Sequence, residues 1–123
     1  LTSAYMEELS DLDESGELKI LKPVDGCTGN SHMVAIVFNS EEEAERVRVG
    51  LNEEGIGAVI HYVPLHSSEV GKSLGYKEGD LEITTKISKR LVRMPLHNSL
   101  TVEDCRKVAG SIRRHLRMRK SEL

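Results

Sequence analysis

Apolar positions recur along this chain in two periods, and each change of period marks an element. Leu1, Tyr5, Leu9 and Leu12 repeat at three and four residues. They form one face of a helix that opens with the first residue and stops at Glu14-Ser15-Gly16, where glycine offers a left-handed exit. Leu18, Ile20 and Val24 then share one side of a short strand, which Pro23 confines to a sheet edge. Asp25 to Asn30 is a loop by composition. His32 to Phe38 is apolar and β-branched in its later half, the pattern of a central strand buried on both faces. Ser40, with Glu43 three residues later, predicts a helix opened by a capping box. Ala44, Val47 and Leu51 give that helix its core face and Gly55 ends it, while Val49 and Gly50 fit no part of the pattern.

The apolar run from Ile56 to Ile60 continues through Tyr62 as a further buried strand, so two strands flank one helix in a β-α-β unit. Ser67 to Leu74 predicts a short helix, and Gly75 to Asp80 a glycine-bracketed loop. Ile83, Ile87 and Leu91 set a helix from about Leu81 to Arg90. Val92 to Leu96 reads as a short extended edge segment closed by Pro95. Thr101 caps the last helix with Asp104 as its acidic partner, and Val102, Cys105, Val108, Ala109, Ile112 and Leu116 form its core stripe. Together these predict an α+β domain: a small, mostly antiparallel sheet with helices packed on one face.

The totals narrow this picture. A length of 123 residues fits one domain with one real core. A hydrophobic share of 38% without tryptophan is low, and hints at an exposed face that a partner covers. A net charge of −3 argues against a general nucleic-acid binder. Arg106, Lys107, Arg113, Arg114, Arg117, Arg119 and Lys120 suit the negative end of a solvated last helix. No aromatic residues are interleaved among them for base stacking. Cys27 and Cys105 are too few for a disulfide framework or a zinc site, and read as reduced thiols of a cytoplasmic protein. No apolar run is long enough to span a bilayer. A helix already in mid-pattern at Leu1, which is not an initiator methionine, predicts a piece of a larger protein.

Candidate chemistry concentrates in His61-Tyr62-Val63-Pro64-Leu65-His66, where Pro64 stiffens the exit from a strand. Titratable side chains on a rigid exit are what a ligand site needs. His61 and His66 lack a third metal ligand at a recognised spacing, although His32 and His97 lie elsewhere in the chain. Ser67-Ser68 has no nucleophile-elbow context, and Asp80 to Glu82 are carboxylates of a glycine loop. Taken singly, His32 and Tyr62 also read as hydrogen-bonded core residues. Composition and spacing alone stop at an α+β domain.

Several segments taken together carry more. Asn30-Ser31-His32-Met33, then Gly55-Ile56-Gly57 running into His61-Tyr62-Val63-Pro64-Leu65-His66, resembles the DegT/DnrJ/EryC1/StrS family of sugar aminotransferases. So do Leu74-Gly75-Tyr76 with Gly79-Asp80, and Ser88-Lys89-Arg90-Leu91 leading to Met94-Pro95-Leu96-His97 and Leu100-Thr101. The resemblance covers almost the whole chain in the right order. It implies the C-terminal small domain (15–123) of a fold-type I aminotransferase dependent on pyridoxal 5'-phosphate (PLP), with residues 1–14 as the tail of the inter-domain helix. Within the family the motifs look most like the dTDP-4-amino-4,6-dideoxygalactose transaminases. That implies a dTDP-4-keto-6-deoxyhexose as nucleotide-sugar substrate, glutamate as amino donor, and a homodimer when intact.

The same resemblance assigns the cofactor lysine and its acidic partner to a missing N-terminal large domain. No bound cofactor, catalytic residue or metal is then expected on this chain alone, and no activity. It gives His61 and Tyr62 the role of shaping the sugar pocket, with His66 and Pro64 fixing the loop and His32 facing or supporting the same cleft. Two competing expectations are a free-standing, non-catalytic module that binds a ligand or partner, and a metal-dependent hydrolase built on the histidines.

Overall fold

A computed structural model describes residues 1–118. The first apolar stripe forms two helices in tandem, α1 (Thr2–Glu8) and α2 (Ser10–Ser15), broken at Leu9, whose φ of −113° leaves helical geometry. Gly16 closes the pair with φ 79°, the left-handed exit its sequence predicts. Tyr5, Leu9 and Leu12 are buried, and the Tyr5 hydroxyl donates to the Pro95 carbonyl at 2.9 Å. Strand β1 is Leu18–Ile20; Val24 lies beyond it and is exposed. Asp13, almost fully buried, accepts from the Ile20 amide and pairs with Lys22 and Lys19. Burial opposes its charge, but the Lys22 and Ile20 contacts prevail and hold its carboxyl below the usual range.

Strand β2 (Val34–Phe38) is buried throughout, as its apolar run requires. Ser40 caps α3 (Glu41–Glu53) by accepting from the Glu43 amide at 3.1 Å. The expected return bond from Glu43 is not made, and its Oε2 is buried without a partner. Ala44, Val47 and Leu51 face the core, and Gly55, at φ 78°, follows the end of the helix. Gly50 is explained by close approach: a Cβ there would lie 2.3 Å from the His115 ring.

Strand β3 is only Val59–Ile60, and both residues are exposed. A 3₁₀ turn (Leu65–Ser67), α4 (Glu69–Ser73), a second 3₁₀ turn (Glu78–Leu81) and α5 (Glu82–Arg90) follow. Ile83 is 81% exposed, so the α5 stripe reaches the core region only through Ile87. Strand β4 is Leu91–Met94, and α6 runs Val102–Arg117 behind a complete capping box of Thr101 and Asp104. Val102 is exposed, and the rest of its stripe packs inward.

The sheet order is β1-β2-β4-β3, every pair antiparallel. This corrects two expectations at once. The 91–94 segment is an interior strand, and the 56–62 segment reduces to an edge. β2 and β3 are parallel but separated by β4, so the β-α-β unit is split. The main core lies between one sheet face and α1, α2, α3 and α6. Ala35, Val37 and Leu91 point to the other face, where Ile87 of α5 covers them, so helices contact both faces rather than one.

Much of the basic surface of α6 is paired. Arg106 reaches Glu8, Arg113 reaches Asp11 at 2.7 Å, and Arg114 reaches Glu54; Arg119 and Lys120 lie outside the described residues. The two cysteines are unpaired, Cys27 exposed and Cys105 buried. Among the described residues, no helix is long and apolar enough to cross a membrane.

Candidate functional site

Beyond β3 the chain leaves the sheet edge and exposes its chemistry. The alternation of β4 directs Val92 and Met94 into the main core and Leu91 and Arg93 to the opposite face. Arg93 pairs with Ala35 on β2 and with Val59 on β3. The Tyr62 ring turns back toward it: the Arg93 guanidinium carbon lies 5.2 Å from the ring centroid, and the His61 ring lies 5.1 Å from the same ring. Tyr62 is 70% exposed. It also lines a groove of about 580 Å³ together with Ile60, Pro64, Ser67, Thr85 and Lys89, rimmed by glutamates.

His66 is placed differently. Its ring is buried, with Nε2 3.0 Å from the Thr85 hydroxyl and 3.3 Å from the Glu78 carbonyl. It ties the turn after Pro64 to the start of α5 and so fixes the loop that carries Tyr62. Beside it, the Lys89 ammonium, 3.0 Å from Glu78, holds that carboxyl below its ordinary range.

His32 is exposed and stands before β2, its Nδ1 2.5 Å from the Asn30 side-chain oxygen. Since Ala35 and Val59 flank Arg93 at one level, His32 and His61 lie at opposite ends of the parallel β2 and β3, roughly 15 Å apart along the strands. His61, Tyr62 and His66 thus come together, and His32 does not join them. His32 instead shares a hollow of about 430 Å³ with Thr2, Leu96 and His97.

A third site lies between α3 and α6. Glu54 accepts from Ser111 at 2.6 Å and from Arg114 at 2.7 Å, and pairs with the His115 ring at 2.8 Å. Ser111 does most to hold its carboxyl at about pKa 2, with His115 and Arg114 assisting against partial burial. The adjoining cavity, about 600 Å³, is lined by Ile56, Gly57, His97, Lys107 and Val108. The Glu54 network spends its carboxylate on joining two helices.

Among the described residues no three histidine, cysteine or acidic side chains converge on a metal-sized site. Every described lysine is exposed, and Lys19, Lys22, Lys86, Lys89 and Lys107 are each ion-paired with a carboxylate. A lysine that holds PLP as a Schiff base needs desolvation to lower its pKa, and these residues do not fit that task. Arg93 was not singled out from the sequence. Its signal is a charge in the middle of the apolar run Leu91-Val92-Arg93-Met94.

The fold is shared with DesV of S. venezuelae, solved in complex with a ketimine intermediate. Its TM-score is 0.82 at 19% identity, over 97% of this chain and 32% of that one. It is also shared with Helicobacter pylori PseC, described as an aminotransferase involved in the biosynthesis of pseudoaminic acid. There the TM-score is 0.79 at 18% identity, over 94% of this chain and 30% of that one. By sequence, the chain is 34% identical over 92 residues to a pleiotropic regulatory protein of Geobacillus stearothermophilus, covering 74% of this chain and 24% of that protein. The chain therefore spans about a quarter of that curated relative and about a third of the solved ones. Residues 1–113 match the DegT/DnrJ/EryC1/StrS aminotransferase family, and the chain belongs to it.

Proposed function

We propose that this chain is the C-terminal small domain of a fold-type I, PLP-dependent nucleotide-sugar aminotransferase. In this reading residues 1–14 end the inter-domain helix and 15–123 form the domain. The observation that supports it most is a family match through residues 1–113 in a chain about one third the length of the solved relatives. PLP, bound by the rest of the protein, supplies the amino-carrying chemistry. This chain supplies a wall of the substrate cleft and catalyses nothing alone. Tyr62 and His61 contact the sugar, His66 holds their loop, and His32 supports the cleft from the other end of the sheet. The substrate is a dTDP-4-keto-6-deoxyhexose, glutamate is the donor, and the intact enzyme is a cytoplasmic homodimer.

The test uses the intact protein that carries this chain. Tyr62→Ala and His61→Ala should each lower kcat/KM for the keto-sugar by about tenfold, the loss of one or two hydrogen bonds or ring contacts, while cofactor absorbance stays unchanged. Wild-type kinetics in both variants would reduce the segment to architecture. The second reading is a free-standing, non-catalytic ligand- or partner-binding module, for which the exposed Val63, Leu65 and Val70 speak. Mass spectrometry of the natural protein's N-terminus separates the two, because the module starts near Leu1 and the enzyme far upstream.

A further inference from the structure

The structure leaves three buried side-chain polar atoms without hydrogen-bond partners among the described residues: Glu43 Oε2, His61 Nδ1 and Arg93 Nε. Two of the three belong to side chains packed around one exposed ring, that of Tyr62. Buried polar atoms in folded proteins are nearly always satisfied, so two orphans around one ring ask for a missing partner. The ordinary fate of a strand arginine is to lay its stem on apolar neighbours and send its head to water. Arg93 does otherwise. Its Cα is held between Ala35 and Val59, its Nε is out of solvent, and its guanidinium rests on Tyr62. No carboxylate pairs with it among the described residues.

We propose that Arg93, backed by Tyr62 and His61, is a binding site for a substrate oxyanion, a carboxylate or a phosphate. A guanidinium fork matches two oxygens of either group, and an aromatic ring beneath it fixes the plane of the fork. The groove that Tyr62 also lines suits that charge less, since Glu41 and Glu45 line it and its Lys89 is already paired with Glu78. Its carboxylates suit hydroxyl donors instead. Tyr62 thus borders both a hydroxyl-binding groove and an anion-binding face. The proposal deepens the sugar-aminotransferase reading, on which the source of the anion rests: the phosphate of a nucleotide sugar or the carboxylate of the amino donor.

Titration calorimetry on the intact protein tests it, with inorganic phosphate in one arm and glutarate in the other. Wild type should bind at least one of them, and Arg93→Gln should weaken that binding about tenfold or more, as loss of a charged hydrogen bond requires. Arg93→Lys, which keeps charge but not the fork, should fall between. It also serves as the reading variant if Arg93→Gln does not fold, as a thermal melt shows. Binding of phosphate assigns the anion to the nucleotide sugar, and binding of glutarate to the donor; either supports the site. No binding to wild type, or equal affinity in both variants, overturns it. That includes the case in which a carboxylate from another part of the protein already holds Arg93, seen as absent anion binding with a lowered Tm in Arg93→Gln. Calorimetry needs no turnover, so a protein that binds the anion through Arg93 and transaminates nothing defeats the proposed function alone.

Discussion

Leu51 and Leu65 are the same residue type with opposite fates. Leu51 is fully buried between α3, α6 and the sheet, whereas Leu65, on the turn after Pro64, is 87% exposed. The contrast extends to the regions around them. The first helices, the two interior strands, α3 and α6 interlock in one core. From Val59 to Ile83 the chain is instead a two-residue strand, a five-residue helix and short turns that leave Ile60, Val63, Leu65, Val70, Leu74 and Ile83 in solvent. The first region carries stability and the second carries surface.

The sharpest way to break the contrast is to shorten both leucines. Leu51→Ala should cost about 2–5 kcal/mol in urea unfolding, the lost burial plus a cavity that the packed helices cannot collapse. A loss below 1 kcal/mol would mean that the core tolerates voids and is not the rigid half.

Glu54→Gln tests the electrostatic seam within that rigid half. The folded carboxyl sits at about 2, well below its usual value, so its stabilisation is complete above the unfolded pKa and is lost as pH falls toward 2. At pH 6 the variant should be about 1 kcal/mol less stable than wild type, solvent screening of a carboxylate that is one-third exposed keeping the figure small. The two proteins should converge near pH 2. A gap that persists at low pH would show that shape, not charge, joins α3 to α6.

The smallest effect is expected at the other leucine. Leu65→Ser should change stability of the isolated chain by no more than about 0.5 kcal/mol, as for a surface site. A loss comparable with that at Leu51 would show that the exposed stretch packs against something in solution, such as a second copy of the chain.

Where the chain's own neighbours decide the outcome, the sequence was readable. The Thr101-Asp104 box, the Ser40 cap, the glycine exits at Gly16 and Gly55 and the fully buried β2 all follow from residues within one helical turn or one strand. Capping was legible because an N-cap and its third residue touch by geometry alone. Glu43 shows the limit: the same spacing predicts the return bond, and its side chain does not make it. Gly50 looked like a defect until α6 placed His115 against it. The site was partly legible in the same way. His61, Tyr62 and His66 are neighbours in sequence and stay together. His32 depended on which ends of β2 and β3 align, and Arg93 on what lies across the sheet.

By itself, then, the sequence determined most of the helices and strands, the Ser40 and Thr101 caps, the core stripes of α3 and α6, and the family motifs of the 61–66 segment. Only the tertiary structure decided that β4 enters between β2 and β3. That single insertion made 91–94 interior, left 59–60 at the edge, sent α5 to the second face and set Arg93 against Tyr62. The reason is physical. A short apolar run offers the same hydrogen-bonding groups whether it is flanked on one side or two, and strand order is fixed by which distant segments bury it, information no local pattern contains.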